Sequence, residues 1–332
     1  MRKSVLILTE CGAEIGFGHL TRCRSIAAVF ALNGYQTKLA VQADGVQLEA
    51  NEQLIRWRER GAAFEEAVCN ADIVVVDSYI ASETLVGTIQ GMNSQTVVVD
   101  DYLHRSYTRG VVVDWTVGAE ANAYPHRESP TRYLLGTQYC ALRPPFWTLS
   151  NRAFKAYPER ILVTLGGRDI RRLTCPLVRQ LAKCFPAVEW HAVFGAGVSS
   201  SDERAQLVEV GADVHVSLDA VAMRDLMDAA DLAISGGGQT LYELACRGLP
   251  AVVVNLIDNQ TDDIKGFSAR GFATVAGQWC DADLLVRVES AVRDMWGGSQ
   301  REAASAIGRS LVDGQGAFRL AAEIERTFYT ST

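Results

Sequence analysis

Leu232-Ala233-Ile234-Ser235-Gly236-Gly237-Gly238-Gln239-Thr240-Leu241-Tyr242-Glu243 joins a short apolar run, a glycine-rich turn and the start of a segment with helical spacing. Such a succession reads as a β-strand, a tight loop and a helix. It recurs along the chain. In the first half, runs at 5–8, 39–41 and 73–76 precede helix-period stretches at 18–32, 46–60 and 82–90, and a further run at 97–99 follows. Residues 102–155 are less regular and carry Pro125, Pro130, Pro144 and Pro145. The pattern restarts with runs at 161–165, 189–194, 214–216, 232–234, 251–254 and 273–275, and the chain then reads as mainly helical. Runs apolar on both faces, alternating with helices, predict parallel sheets covered by helices. The fold class is α/β, with two doubly wound, Rossmann-like domains. The expected division is 1–152 and 153–332, with the last helix free to return to the first domain. Ligands of such sheets bind beyond the carboxyl ends of the strands, so a cleft between the two domains is the expected site.

The 332 residues are 48% hydrophobic and 21% charged, which fits a globular chain long enough for two cores. Lysine and arginine total 32 against 39 acidic residues, a formal charge of −7, and no basic run stands out. Binding along a nucleic-acid backbone is therefore not expected. A small anion remains compatible, because backbone N–H groups hold phosphate without net positive charge. Cys11, Cys23, Cys69, Cys140, Cys175, Cys184, Cys246 and Cys280 form no C-x-x-C pair and read as reduced thiols. The opening run is too short for a signal segment and no stretch approaches a membrane span, so the expected location is the cytoplasm, without membrane insertion.

Three loops following predicted strands could carry chemistry. In Glu14-Ile15-Gly16-Phe17-Gly18-His19, Gly16 and Gly18 permit a tight turn that leaves His19 at a helix start. The positive end of that helix disfavours imidazolium, which leaves the ring either to accept a proton or to cap its own loop. Arg22, one turn on, either holds an anion or pairs with a carboxylate. Leu165-Gly166-Gly167-Arg168-Asp169 and Ser235-Gly236-Gly237-Gly238-Gln239-Thr240 put bare backbone ahead of helices, which suits a diphosphate or merely makes a tight turn. Glu243 could accept the hydroxyls of a ribose or offset a helix dipole. Asn259 and Gln260 could bind sugar substituents or cap the next helix. Neither a P-loop nor the G-x-G-x-x-G dinucleotide fingerprint is present, which argues against an NTPase and a nicotinamide dehydrogenase.

The Glu14–His19 loop with Arg22-Cys23, then Val76-Asp77-Ser78-Tyr79, Asp100-Asp101-Tyr102 and Leu135-Gly136 stand in order along the chain. Tyr139-Cys140-Ala141-Leu142-Arg143-Pro144, Leu165-Gly166-Gly167, Ser235–Glu243 and Asn259-Gln260 follow. Together they resemble the UDP-2,4-diacetamido-2,4,6-trideoxy-β-L-altropyranose hydrolases of pseudaminic acid biosynthesis over almost the whole chain. That family is similar in turn to the peptidoglycan N-acetylglucosaminyltransferase, with the two-domain GT-B fold. The resemblance implies a hydrolase, independent of metal and of any cofactor, that takes a UDP-linked diacetamido trideoxy sugar and water. It releases UDP and the free sugar with inversion at the anomeric carbon. It matches His19 to the catalytic histidine, Ser235–Glu243 to the nucleotide-holding segment, Asn259 and Gln260 to the sugar-side pair, and Tyr79 to a tyrosine of the cleft.

The chain also departs from that pattern. Leu8, Glu10 and Gly12 stand where the family usually has the Arg, Asp and Ser of Arg-x-Asp-x-Ser. Asp114-Trp115-Thr116 replaces Asp-Gln-Asn, and the Ser235–Thr240 loop replaces Ser-Ala-Gly-Gly-Ser-Thr. Two other readings follow from the same residues: a glycosyltransferase using the same UDP-sugar donor, and a non-catalytic nucleotide-sugar-binding homologue.

Overall fold

The structure, a computed structural model, describes residues 2–12, 15–43, 48–101, 105–121, 130–167, 169–195 and 201–329. The chain divides into two compact units, residues 1–144 with 315–332 and residues 145–314.

The first unit is built on the strands β1 (Ser4–Glu10), β2 (Gln36–Gln42), β3 (Glu52–Leu54), β4 (Ile73–Asp77), β5 (Thr96–Val99), β6 (Val111–Asp114) and β7 (Arg132–Leu135). All pair in parallel, in the order β3-β2-β1-β4-β5-β6-β7. The helices α1 (Gly18–Leu32), α2 (Ala62–Asn70) and α3 (Glu83–Met92) connect strands of this sheet. The runs Val74-Val75-Val76, Val97-Val98-Val99 and Val111-Val112-Val113 are buried throughout, as β-branched strands covered on both faces should be.

Two stretches differ from expectation. Residues 46–60 form no α-helix where they are described, and Val46 lies outside the described residues. β3 and a turn of 3-10 helix at Trp57–Glu59 take the place of that helix. Trp57 is fully buried and donates its indole N–H to the Thr9 carbonyl at 2.8 Å. Glu52 accepts from Arg24 at 2.7 and 2.9 Å. These long-range contacts override local helical spacing. Within the irregular stretch 102–155, β6 and β7 extend the sheet to seven strands.

The second unit has β8 (Arg160–Thr164), β9 (Glu189–Phe194), β10 (Asp213–Val216), β11 (Leu232–Ser235), β12 (Ala251–Asn255) and β13 (Ala273–Gln278). They are again all parallel, in the order β10-β9-β8-β11-β12-β13. Its helices are α4 (Thr174–Cys184), α5 (Ser201–Glu209), α6 (Ala220–Ala229), α7 (Gln239–Cys246), α8 (Thr261–Ala269), α9 (Leu284–Asp294) and α10 (Gly298–Leu311). Ile161, Val163, Leu177, Leu181, Ile234, Val252, Val254, Val288 and Val292 share one core. The last helix, α11 (Gly316–Tyr329), belongs to the first unit. Glu323 pairs with Arg132 at 2.5 Å, and a Cβ on Gly316 would meet the Cys140 carbonyl oxygen at 2.2 Å. Among the described residues no helix is long and apolar enough to cross a membrane.

Each sheet reverses its strand order once, between β1 and β4 in the first and between β8 and β11 in the second. Loops leaving neighbouring strands there diverge to opposite faces and leave a crevice at the carboxyl edge. The loop after β1 begins at Cys11 and the last residue of β4 is Asp77. Gly166 and Gly167 follow β8, and Gly236 follows β11.

Candidate active site

His19 is the second residue of α1, whose N-cap, Phe17, offers no side-chain hydrogen bond. Gly12 and Gly16 exchange backbone hydrogen bonds of 3.1 and 2.8 Å, and Gly16 has φ +81°, the left-handed region that glycine tolerates. This closure returns the chain to the sheet edge and buries His19 at 3% exposure. Glu14 lies outside the described residues. His19 Nδ1 lies 2.6 Å from Asp77 Oδ1. An ionised carboxylate only accepts, so the proton of the neutral ring belongs on Nδ1, and in that tautomer Nε2 carries the lone pair. Nε2 is buried and has no hydrogen-bond partner among the described residues.

Arg22, one turn further along α1, donates Nε and Nη2 to the two oxygens of Asp77, each at 2.6 Å, and Nη1 to Asp101 Oδ2 at 2.6 Å. Of the two readings left open for Arg22, the carboxylate pairing is the one present, with two partners that are themselves buried. Burial works against ionised Asp77, yet Arg22 and His19 beside it hold its carboxyl well below the usual carboxylate range. Burial likewise opposes charged Arg22, and Asp101 and Asp77 outweigh it, pushing the guanidinium above its ordinary value. Tyr79 donates its hydroxyl to Asp101 Oδ2 at 2.7 Å and meets the imidazole edge-on, with centroids 4.1 Å apart. Cys23 lies 3.4 Å from Asp77 Oδ2; burial and that carboxylate raise its thiol far above the thiolate range, so it is no nucleophile.

The turn that presents Tyr79 is gripped from both sides. Glu10, fully buried at the end of β1, accepts from Ser78 Oγ at 2.7 Å and from the Tyr79 N–H at 3.0 Å. Buried Arg105 donates to the carbonyls of Ser78, Tyr79 and Ala81 at 2.7, 3.2 and 2.9 Å. Thus Glu10, one of the departures from the family pattern, shapes the wall beside His19.

In the second unit, Gly166 has φ +83° and both it and Gly167 have room around their Cα atoms. Gly195 packs against Gly167 so closely that a Cβ there would fall 1.8 Å from the Gly167 carbonyl oxygen. Arg168 lies outside the described residues. After β11, Gly236 and Gly237 are glycines for packing: an added Cβ would meet Leu256 at 2.8 Å and Ile264 at 2.4 Å respectively. The Gly237 N–H donates to Gln260 Oε1 at 3.1 Å, which ties Gln260 to the loop. Gly238, Gln239 and Thr240 are half-buried at the start of α7, whose N-cap lacks a side-chain hydrogen bond. Ser235 is fully buried and its Oγ has no partner among the described residues. Glu243 is buried in the second turn of α7 rather than at its start, and Asn259 is exposed.

The structure therefore gathers Gly16, Gly18, His19, Arg22 and Tyr79 at one switch point. It gathers Gly166, Gly167, Ser235–Glu243 and Gln260 at the other. Sequence reasoning did not assign roles to Asp77, Asp101, Glu10 or Arg105. A carboxylate that ends an apolar parallel strand, as Asp77 does after Val74-Val75-Val76, is the available signal. Among the described residues no set of three or more His, Cys, Asp or Glu side chains is arranged to hold a metal ion.

Two parallel Rossmann-like sheets in one chain define the GT-B fold. Acinetobacter baumannii MurG matches the structure with a TM-score of 0.65 at 15% identity, over 98% of this chain and 99% of that one. No family model matches the sequence. The chain is distantly homologous to the pseudaminic acid cytidylyltransferase and UDP-2,4-diacetamido-2,4,6-trideoxy-β-L-altropyranose hydrolase of Helicobacter pylori, 24% identical over 275 residues. That alignment covers 81% of this chain and 48% of the relative. The spore coat polysaccharide biosynthesis protein SpsG of Bacillus subtilis is 28% identical over 200 residues, 59% of this chain and 58% of that one. The alignments thus span about half the length of these curated relatives.

Proposed function

We propose that the protein hydrolyses a UDP-linked 2,4-diacetamido-2,4,6-trideoxy sugar in nonulosonic acid biosynthesis, with His19 as general base. The observation that carries this reading is the buried imidazole with Nδ1 on Asp77 and an unpartnered Nε2. Two carboxylates against one guanidinium leave the cluster of Asp77, Asp101 and Arg22 with one formal negative charge, which an imidazolium at His19 offsets. A base so held typically contributes about 10²–10⁴-fold. The distant Helicobacter relative, named for hydrolysis of such a UDP-sugar, supports the substrate class.

In the reaction, His19 Nε2 removes a proton from water as the oxygen attacks the anomeric carbon. The C1–O bond to the β-phosphate breaks, the electron pair leaves with UDP, and the configuration inverts. UDP is already a competent leaving group, so the remaining need is for dipoles that receive its charge. In the second unit the loops at Gly166-Gly167 and at Ser235, Gly236, Gly237, Gly238, Gln239 and Thr240 take the diphosphate, aided by the uncapped start of α7. Glu243 takes the ribose hydroxyls, and Asn259 and Gln260 take sugar substituents. In the first unit Gly16, Gly18 and Tyr79 border the reacting carbon, and Arg22 acts through Asp77 by orienting His19.

The test is incubation with the UDP-sugar in EDTA without any acceptor, following the anomeric proton by NMR. Free sugar and UDP, appearing first as the inverted anomer, are expected. Turnover that requires an added acceptor hydroxyl overturns hydrolysis in favour of glycosyl transfer. Tight binding with no turnover under either condition favours a non-catalytic binding protein.

A further inference from the structure

We propose that Arg171, stacked on Trp279, is the cationic contact for the diphosphate of the ligand; this rests on the nucleotide-sugar reading and names the residue that meets its charge. The Arg171 Cζ lies 3.8 Å from the centroid of the Trp279 ring, and its Nε donates to the Leu256 carbonyl at 3.2 Å. Arg171 lies between β8 and α4, Leu256 directly follows β12, and Trp279 directly follows β13. In the sheet, β11 lies between β8 and β12. A side chain reaching from the β8 loop to Leu256 therefore crosses the carboxyl end of β11, where the Ser235–Gly238 loop begins.

The arm is held in place from its base. Asp169 and Arg172 adopt left-handed φ of +37° and +53°, rare for residues with a Cβ. Asp169 pins the turn by accepting from the N–H groups of Leu173 and Thr174, each at 3.0 Å. The aromatic face orients the guanidinium without neutralising it. Neither Nη nitrogen has a hydrogen-bond or carboxylate partner among the described residues, and Trp279 is 40% exposed. A charged fork is thus presented beside the glycine loop with its two-pronged edge unused.

A second observation at the same edge also points to a ligand. Ser235 Oγ and Asn255 Oδ1 are buried and lack partners among the described residues. They end the neighbouring strands β11 and β12, and because Ser235 stands beside Val253, Asn255 two residues on shares its face. Buried polar groups are seldom left unpaired in a finished site. A phosphate meets the needs of Ser235 and Arg171, since the Ser235 hydroxyl and the Arg171 guanidinium both donate to its oxygens, the latter bidentately, while Asn255 Oδ1 accepts and would take a hydroxyl donor of the same ligand.

The experiment is calorimetric titration of UDP and of uridine into the wild-type protein and into Arg171→Gln and Trp279→Ala. With the thermal midpoint unchanged, Arg171→Gln should weaken UDP by about 10–100-fold, the range for a lost charged hydrogen bond, and leave uridine unchanged. Trp279→Ala should weaken UDP severalfold and spare uridine, and it decides the matter if the arginine variant fails to fold. Wild-type affinity for UDP in Arg171→Gln overturns the assignment while the nucleotide reading stands. Equal loss for UDP and uridine in a folded variant also overturns it. A wild-type protein that binds no UDP overturns the nucleotide reading and this assignment together.

Discussion

The two switch points are built from the same topology and opposite chemistry. At the first, between β1 and β4, the carboxyl edge holds buried ionic groups: Glu10, Asp77, Asp101, Arg22 and Arg105 are each under a tenth exposed. At the second, between β8 and β11, the loop that leaves β11 offers glycine backbone, one buried serine and a half-buried amide. The first edge spends most of its hydrogen-bonding capacity internally, on Asp77–Arg22–Asp101, and the ring nitrogen it leaves without a partner among the described residues is His19 Nε2. The second keeps Ser235 Oγ and Asn255 Oδ1 without partners among the described residues. The lesson is that positioning one base demands a filled network, whereas receiving a ligand demands unfilled donors.

That contrast can be broken by substitution. The largest effect is expected for Asp77→Ala, which leaves Arg22 as a partly unpaired buried charge at a cost of about 3–5 kcal/mol. Chemical denaturation should show it, and a loss below 1 kcal/mol would contradict the filled-network view. The same pair sets acid behaviour. Because the folded carboxyl of Asp77 is depressed, its contribution is full above its unfolded value near pH 4, as for about 3.9 in model peptides, and is lost as pH falls below it. The midpoint of thermal unfolding of the wild type should therefore drop steeply below about pH 4, and Asp77→Asn should flatten that limb.

A smaller effect is expected for Glu243→Gln, which should weaken UDP by about 10–100-fold through a lost charged hydrogen bond without altering the first unit's network. Unaltered affinity in calorimetry removes the ribose role. The smallest effects separate two glycines. Gly237→Ala should destabilise by about 1–3 kcal/mol because Ile264 and Gln260 already fill the space, whereas Gly18→Ala has open space and should hold or raise stability by up to about 1 kcal/mol. If Gly18 borders the ligand, its alanine variant should lose turnover despite its stability, which paired melting curves and rates will reveal.

Much of this was legible in the chain. Valine runs such as Val74-Val75-Val76 announce strands buried on both faces, and a glycine loop before helical spacing announces the second switch point. His19 was legible as the residue after a Gly-x-Gly turn. Its partners were harder to see, because Asp77 and Asp101 are separated from Arg22 by 55 and 79 positions and only the sheet order brings them together. The stretch 46–60 misled for a similar reason, since its local spacing is helical while Trp57 is captured by Thr9 from β1. The glycines at 236 and 237 were legible as glycines, but their demand for space comes from Leu256 and Ile264.

In the proposed reaction the first switch point performs the chemistry and the second holds the nucleotide. The most direct test is His19→Ala, with hydrolysis of the UDP-sugar and UDP affinity measured on the same preparation. UDP affinity is expected within about twofold of wild type and turnover lower by about 10²–10⁴-fold. Unchanged turnover, or loss of UDP binding equal to the loss of rate, would contradict it.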